Sequence, residues 1–277
     1  MKRTASFFLA VALLSGLIAC EQLPGEPEFN NPFMPGDISY TAPMINIMSG
    51  PQNNEVVTVP TVTFEYDGNT GVTDFSYRLD EDDWSGWTGE KTVTFSFLDE
   101  GQHTFWIRGR NMMGVQDSMN LSRPFEIDAI RGPALWFSSR HRVVQSGTEF
   151  TVTLMAEEMY NLMGVYAPVM YDPDAVTLVS YNVLATDGAY LMKNGGSVIQ
   201  LVDQEASLGL VGLNLAVVEA SPPGLDGSGR LATLTFRANS PQQTTIRLGT
   251  ETRVTDSDLV TNYLSRDDLF PAQVEVQ

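Results

Sequence analysis

Chemistry needs particular side chains held close together, and this chain offers few that could do it. Among 277 residues there are two histidines, one cysteine and 34 aspartates and glutamates. His103 lies in the alternating segment "HTFWIRGRN", and His141 is flanked by Arg140 and Arg142. Neither has the spacing to a second ligand that a metal site requires. No Gly-x-Ser-x-Gly elbow occurs to present a serine nucleophile. Two-carboxylate hydrolysis would need one acid with a raised pKa, ~5–9 Å from another, and no pair in the sequence is singled out for that. The densest acidic run, Asp80-Glu81-Asp82-Asp83, lacks the ligand alternation, glycine and glutamate of a calcium loop. It is expected to be a solvated hairpin turn. "PPGLDGSGR", Pro222 to Arg230, has three glycines but precedes a strand rather than a helix, so it offers no phosphate cradle and is expected to be a loop. The expectation is a non-enzyme with no metal and no cofactor.

What remains is surface. The formal charge is −18. Nucleic acid needs a basic face, so it is excluded as a partner. Adhesion of the folded surface to anionic lipid is excluded for the same reason.

The chain opens Met-Lys-Arg and runs apolar from Ala5 to Ala19, ending Leu17-Ile18-Ala19-Cys20. A basic start, a short apolar stretch and a small residue before the cut predict a signal peptide over 1–19. The stretch is shorter than the ~20 residues of a spanning helix. Cys20 is the only cysteine and cannot form an internal disulfide. Leu-Ile-Ala-Cys resembles the bacterial lipobox, which implies lipidation at Cys20 and export to a bacterial membrane. Glu21 after the cysteine points to the outer membrane or cell surface. Residues 20–42, rich in Pro, Gly, Asn and acids, predict a flexible tether.

Two all-β modules are expected beyond it. In 43–128, "TVTFEYDG" puts Val62, Phe64 and Tyr66 on one face, "FSYRLD" adds Phe75, Tyr77 and Leu79, and "TVTFSFL" adds Val93, Phe95 and Phe97. Period-two alternation between short turns predicts a β-sandwich. In 133–277, "GTEFTVTLMAEEM" alternates through Phe150, Val152 and Leu154, and "GRLATLTFRANS" through Ala232, Leu234 and Phe236. Tyr171-Asp172-Pro173-Asp174 ends one strand and turns into the next. Pro173 cannot donate to a ladder, and the Asp side chains can bond local amides.

The first module, through "VTFEYDG", "FSYRLDEDDWSGWTG" and "LDEGQHTFWIRGRNMMG", resembles bacterial immunoglobulin-like or fibronectin type III-like domains. The second carries "GTEFTVTLMAEEMYNLMG", "YDPDAVTLV", "GSGRLATLTFRA", "TTIRL" and "VTDSDLVTNY" in that order. It resembles the cohesin domain of cellulosome scaffoldins. The resemblance implies a nine-stranded jelly roll that docks a dockerin module through one sheet, including the outward side chains of the strand before Tyr-Asp-Pro. Counting back from an inward Tyr171, those are Gly164, Tyr166, Pro168 and Met170. No duplicated calcium loop of dockerin type occurs here, so the partner would lie on another protein.

Three other readings stay open. Direct polysaccharide binding would need Trp136, Tyr160, Tyr166, Tyr181 and Tyr190 to share one face. A small glycoside hydrolase would need convergent carboxylates in a cleft, and a purely structural cell-surface role would need neither.

Overall fold

The computed structural model describes residues 30–277 apart from 118, 187–188 and 257–261. Cys20 and the segment 1–19 read as a signal peptide lie outside the described residues, within which no helix is long and apolar enough to cross a membrane. The described chain is all-β, in two sandwiches.

In the first, one sheet joins β1 (Ile45–Ser49), β3 (Thr61–Gly68) and β5 (Thr92–Ser96) in the order β1-β3-β5. The other joins β2 (Glu55–Val57), β4 (Val72–Leu79), β6 (Gly101–Asn111) and β7 (Leu121–Ile127) in the order β2-β7-β6-β4. Successive strand residues point to opposite faces, and the alternation expected for Val62, Phe64 and Tyr66 is the one observed: all three are buried. Phe64 stacks on Phe105 at 4.0 Å in the centre of the core. The outer face of β4 and β6 carries a ladder of cations and indoles. Arg78 lies over Trp106 and Trp84, Arg108 over Trp84 and Trp87, and Arg110 over Trp87, at 4.2–5.5 Å. Each such contact is worth about 0.5–1 kcal/mol at a partly exposed site. The ladder pins the long loop after β4 to the sheet.

Two expectations need correction here. Phe97 was placed on the core face by alternation, but β5 ends at Ser96, and Phe97 turns out with φ +58. Its ring is 44% exposed and stacks on His141 of the second sandwich. The segment read as flexible tether is also partly docked. Residues 31–40 turn back on themselves, Asn31 N donates to the Asp37 carboxylate, and the Asn111 amide donates to Phe33 O at 2.8 Å. The Phe33 ring sits so close to Gly71 that a Cβ there would meet it at 2.4 Å.

In the second sandwich, the outer strands carry the topology. One sheet holds β8 (Ala134–Ser138), β10 (Glu149–Leu162), β12 (Val176–Val183), β15 (Leu225–Ala238) and β18 (Leu269–Phe270), in the order β12-β15-β10-β8-β18. The other holds β9 (His141–Val144), β11 (Gly164–Met170), β13 (Ser197–Glu205), β14 (Leu210–Val218), β16 (Gln242–Leu248), β17 (Arg253–Thr255) and β19 (Ala272–Val276). Its order is β13-β14-β11-β16-β19-β9, with β17 also on β11. β8 and β9 are one run that changes sheet at Ser139 (φ +62), and β18 and β19 are another, broken at Pro271. The two runs change sheet together, pairing in parallel on both sides of the break. Merging them, the twelve assigned strands become nine long runs and the three-residue β17, a nine-run jelly roll.

The turn that the sequence placed at Tyr171–Asp174 is present. The Asp172 carboxylate accepts Asp174 N at 2.9 Å, and its carbonyl accepts the amides of Ala175 and Val176. Pro222–Arg230 is not simply a loop, since β15 begins at Leu225. The glycines serve a bulged strand: Gly227 has φ +88, and a Cβ on Gly229 would meet Tyr190 at 2.3 Å.

The sandwiches meet through the β5–β6 turn. The Asp99 carboxylate accepts the amides of Ser139 and Arg140, where the β8–β9 run changes sheet. Beside it the Arg140 guanidinium lies 3.8 Å from Glu100, both nearly buried. His103 bridges the Asp80 carboxylate (2.7 Å) and Asp99 O (2.9 Å), so the start of the acidic run is a structural partner rather than free charge.

Two predictions follow from these contacts. Gly209 (φ +61) accepts Tyr171 N, and a Cβ there would fall 1.9 Å from Tyr171 O. Gly209→Ala should therefore cost roughly 1–3 kcal/mol of stability, and Tyr171→Ala roughly 3–5 kcal/mol as a truncated buried aromatic, both read from denaturant unfolding. The second concerns pH. Burial opposes protonation of His103, but the bonds to Asp80 and Asp99 outweigh it and hold the pKa above the ordinary value of 6.5. A raised folded-state pKa gives stability that is full below 6.5 and lost as pH rises through the folded value. The unfolding midpoint should fall with rising pH in that window, and His103→Gln should flatten the dependence there.

Candidate functional site

β11 runs through the middle of the seven-stranded sheet, between β14 on one side and β16 and β17 on the other. Val165, Ala167, Val169 and Tyr171 point into the core. The opposite parity, Gly164, Tyr166, Pro168 and Met170, therefore belongs to the outer face, as the sequence count required. Gly164, Tyr166 and Met170 are half-buried there, but Pro168 is buried.

Pro168 is covered for a local reason. It has no N–H for a ladder, and its position is where the pairing of β11 passes from β16 to β17. The intervening turn folds over it: Gly249 N donates to Pro168 O at 2.8 Å, and a Cβ on Gly249 would touch the proline ring at 3.0 Å. The central proline is tolerated because the neighbouring ladder is interrupted beside it. As a contact residue it is withdrawn from the expected set.

The registers align the outer face into rows across the sheet. One row is Ile199–Ala216–Gly164–Thr255, and the next is Leu201–Asn214–Tyr166–Arg253. Small residues in the middle of the first row leave a floor, and the large side chains of the second row and of β13 make the walls. The result is a groove of about 560 Å³ that takes in Gly164 and Tyr166 but neither Pro168 nor Met170. The Tyr166 ring leans towards Gly212, where an ideal Cβ would lie 3.9 Å from it. On its other side the Arg253 guanidinium stands 5.9 Å from the ring centre. Ile199 and Leu201 are 62% and 67% exposed, which is unusual for two aliphatic neighbours on one face.

Sequence reasoning missed β13, and with it Ile199 and Leu201. "SVIQLVDQE" has aliphatic residues on both parities, because Val198 and Val202 pack inward while Ile199 and Leu201 face out. That doubling was the available signal: an edge strand apolar on both faces is apolar for a reason other than the core.

The aromatic residues considered for stacking on sugars do not form a platform. Trp136 and Tyr190 are buried, and the Trp136 indole donates to Glu157 at 3.0 Å. Tyr160 stacks on Tyr263 at 4.5 Å, Tyr181 sits on β12 in the other sheet, and Tyr166 is alone on β11. Among the described residues, no three His, Cys, Asp or Glu side chains are grouped to hold a metal ion.

No family model and no curated protein matches this sequence. Solved structures show similarity at low identity. A non-cellulosomal cohesin from the archaeon Archaeoglobus fulgidus is 13% identical, with a TM-score of 0.39, over 52% of this chain and 90% of that one. A type II cohesin dyad from an adaptor scaffoldin of Acetivibrio cellulolyticus is 12% identical, with a TM-score of 0.41, over 82% of this chain and 96% of that one. The cohesin–dockerin complex from Clostridium thermocellum is 12% identical, with a TM-score of 0.40, over 52% of this chain and 98% of that chain.

Proposed function

We propose that this is a binding protein whose second sandwich is a cohesin-like recognition head, docking a dockerin-like module of another protein on the outer face of the seven-stranded sheet. The groove carries this reading: a concavity on β11 and its neighbours, walled by the exposed aliphatic side chains of Ile199 and Leu201, the half-buried Tyr166 ring and the polar side chains of Glu251 and Arg253. The class of partner comes from the sequence resemblance, whose five ordered segments span the nine-run jelly roll. The first sandwich is the spacer. Lipid at Cys20 holds the protein to an outer membrane or cell surface, and the acidic folded part stands off from it. A link to polysaccharide breakdown belongs to this proposal through the resemblance alone.

Aromatic residues anchor interfaces from central, well-packed positions. Tyr166→Ala should weaken partner binding by about 2 kcal/mol while shifting the unfolding midpoint little, measured by calorimetry with a purified dockerin module. Unchanged affinity would reject the face. For the anchor, Cys20→Ser should move the protein from the detergent phase to the aqueous phase on phase separation. Unchanged partitioning would reject lipidation.

A further inference from the structure

β13 is the end strand of its sheet. It pairs with β14 over nine consecutive residues without a register shift, and among the described strands it has no neighbour on the other side. Such an edge offers unpaired N–H and C=O groups at every second residue, and natural proteins usually blunt it with lysine, proline or a bulge. β13 has none of these between Ser197 and Glu205, and its charges, Asp203 and Glu205, lie only at its C-terminal end. It adds Ile199 and Leu201, both mostly exposed.

The strand is also a palindrome in side-chain character. From Gln200 outward, "SVIQLVD" reads Ile199 and Leu201, then Val198 and Val202, then Ser197 and Asp203. A contact between two identical copies about a two-fold axis must be complementary to itself, and antiparallel strand pairing has that symmetry. With the axis at Gln200, Ile199 meets Leu201 of the second copy on the outer face, and Val198 meets its Val202 on the inner face. Ser197 meets its Asp203, a hydroxyl donor facing a carboxylate. Moving the axis by one residue to Leu201 would set Ile199 against Asp203 and lose the match, so the pattern selects one register.

We propose that the protein self-associates through β13, two copies pairing antiparallel about Gln200 to make one continuous sheet from two. The outer face stays open, and because Ile199 and Leu201 also wall the groove, the two grooves lie side by side across the axis. This goes beyond the docking reading, since it concerns the strand edge and a second copy of this chain. Each copy carries a formal charge of −18, so repulsion opposes the contact and added salt strengthens it.

The test uses the full chain with Cys20→Ser, so that an introduced thiol is the only one. Sedimentation at high micromolar concentration should give the mass of a dimer, more so at raised salt. Gln200→Cys should form a disulfide-linked dimer under mild oxidation, because the axis sets residue 200 against itself at bonding range. Gln204→Cys should not, since eight strand residues, about 26 Å, would separate the two thiols. Ile199→Lys, which places a charge on the edge of each copy, should return the mass to that of a monomer. A monomer in the parent chain, equal cross-linking at positions 200 and 204, or a dimer that survives Ile199→Lys would overturn the proposal. Tyr166→Ala should leave the dimer intact, so loss of partner docking and loss of self-association are separable.

Discussion

The parity of β11 is the constraint on which the rest of the second sandwich depends. Its side chains alternate across the sheet, so a slip of one residue would bury Tyr166 and expose Tyr171. Three local features hold the count. Tyr171 N is bonded to Gly209 O, in a backbone conformation that leaves no space for a Cβ. Asp172 closes the turn behind it through its own carboxylate and carbonyl. Pro168, ahead of it, must sit where a ladder bond is already missing. Once these are fixed, the registers with β14 and β17 follow, and they bring together rows of residues from distant parts of the chain.

The groove is a consequence of that alignment rather than of any one motif. Its floor exists because Gly164 and Ala216 fall in the same row, and its walls because Tyr166, Leu201 and Arg253 fall in the next. The same proline that marks the β16–β17 break draws the following turn over the outer face. The face is thereby divided, with an open half around Tyr166 and a covered patch at Pro168.

Much of this was legible in the sequence, and what was not has a physical reason. Alternation identified the core faces of β3, β10 and β15 because one side of each strand is buried and the other wet. It placed Tyr166 outward and Tyr171 inward from a single proline turn. It failed where neighbours act from afar. Nothing local to Pro168 says that Gly249 will cover it, and nothing local to Phe97 says that His141 will stack on it. β13 went unread because its aliphatic residues lie on both parities, which is the signature neither of a half-buried strand nor of a loop. The glycines of Pro222–Arg230 looked like loop residues, yet they allow a strand to pass within contact distance of Tyr190 and Asn161.

The joint between the sandwiches shows the same dependence on distant partners. In the sequence it is only the short stretch 129–132 between the two expected modules. In the structure, a carboxylate of the first sandwich receives two backbone amides at the point where the opening strand of the second changes sheet. Those amides sit at a break in the ladder, where a residue with φ +62 leaves them without strand partners. A charged acceptor there makes a stronger hydrogen bond to these part-buried amides than a neutral one would. The neighbouring residue of that turn, Glu100, is nearly buried against Arg140, and its pKa is raised chiefly by that burial. The first sandwich therefore acts on the second where the jelly roll closes, and the joint is held by side chains of both.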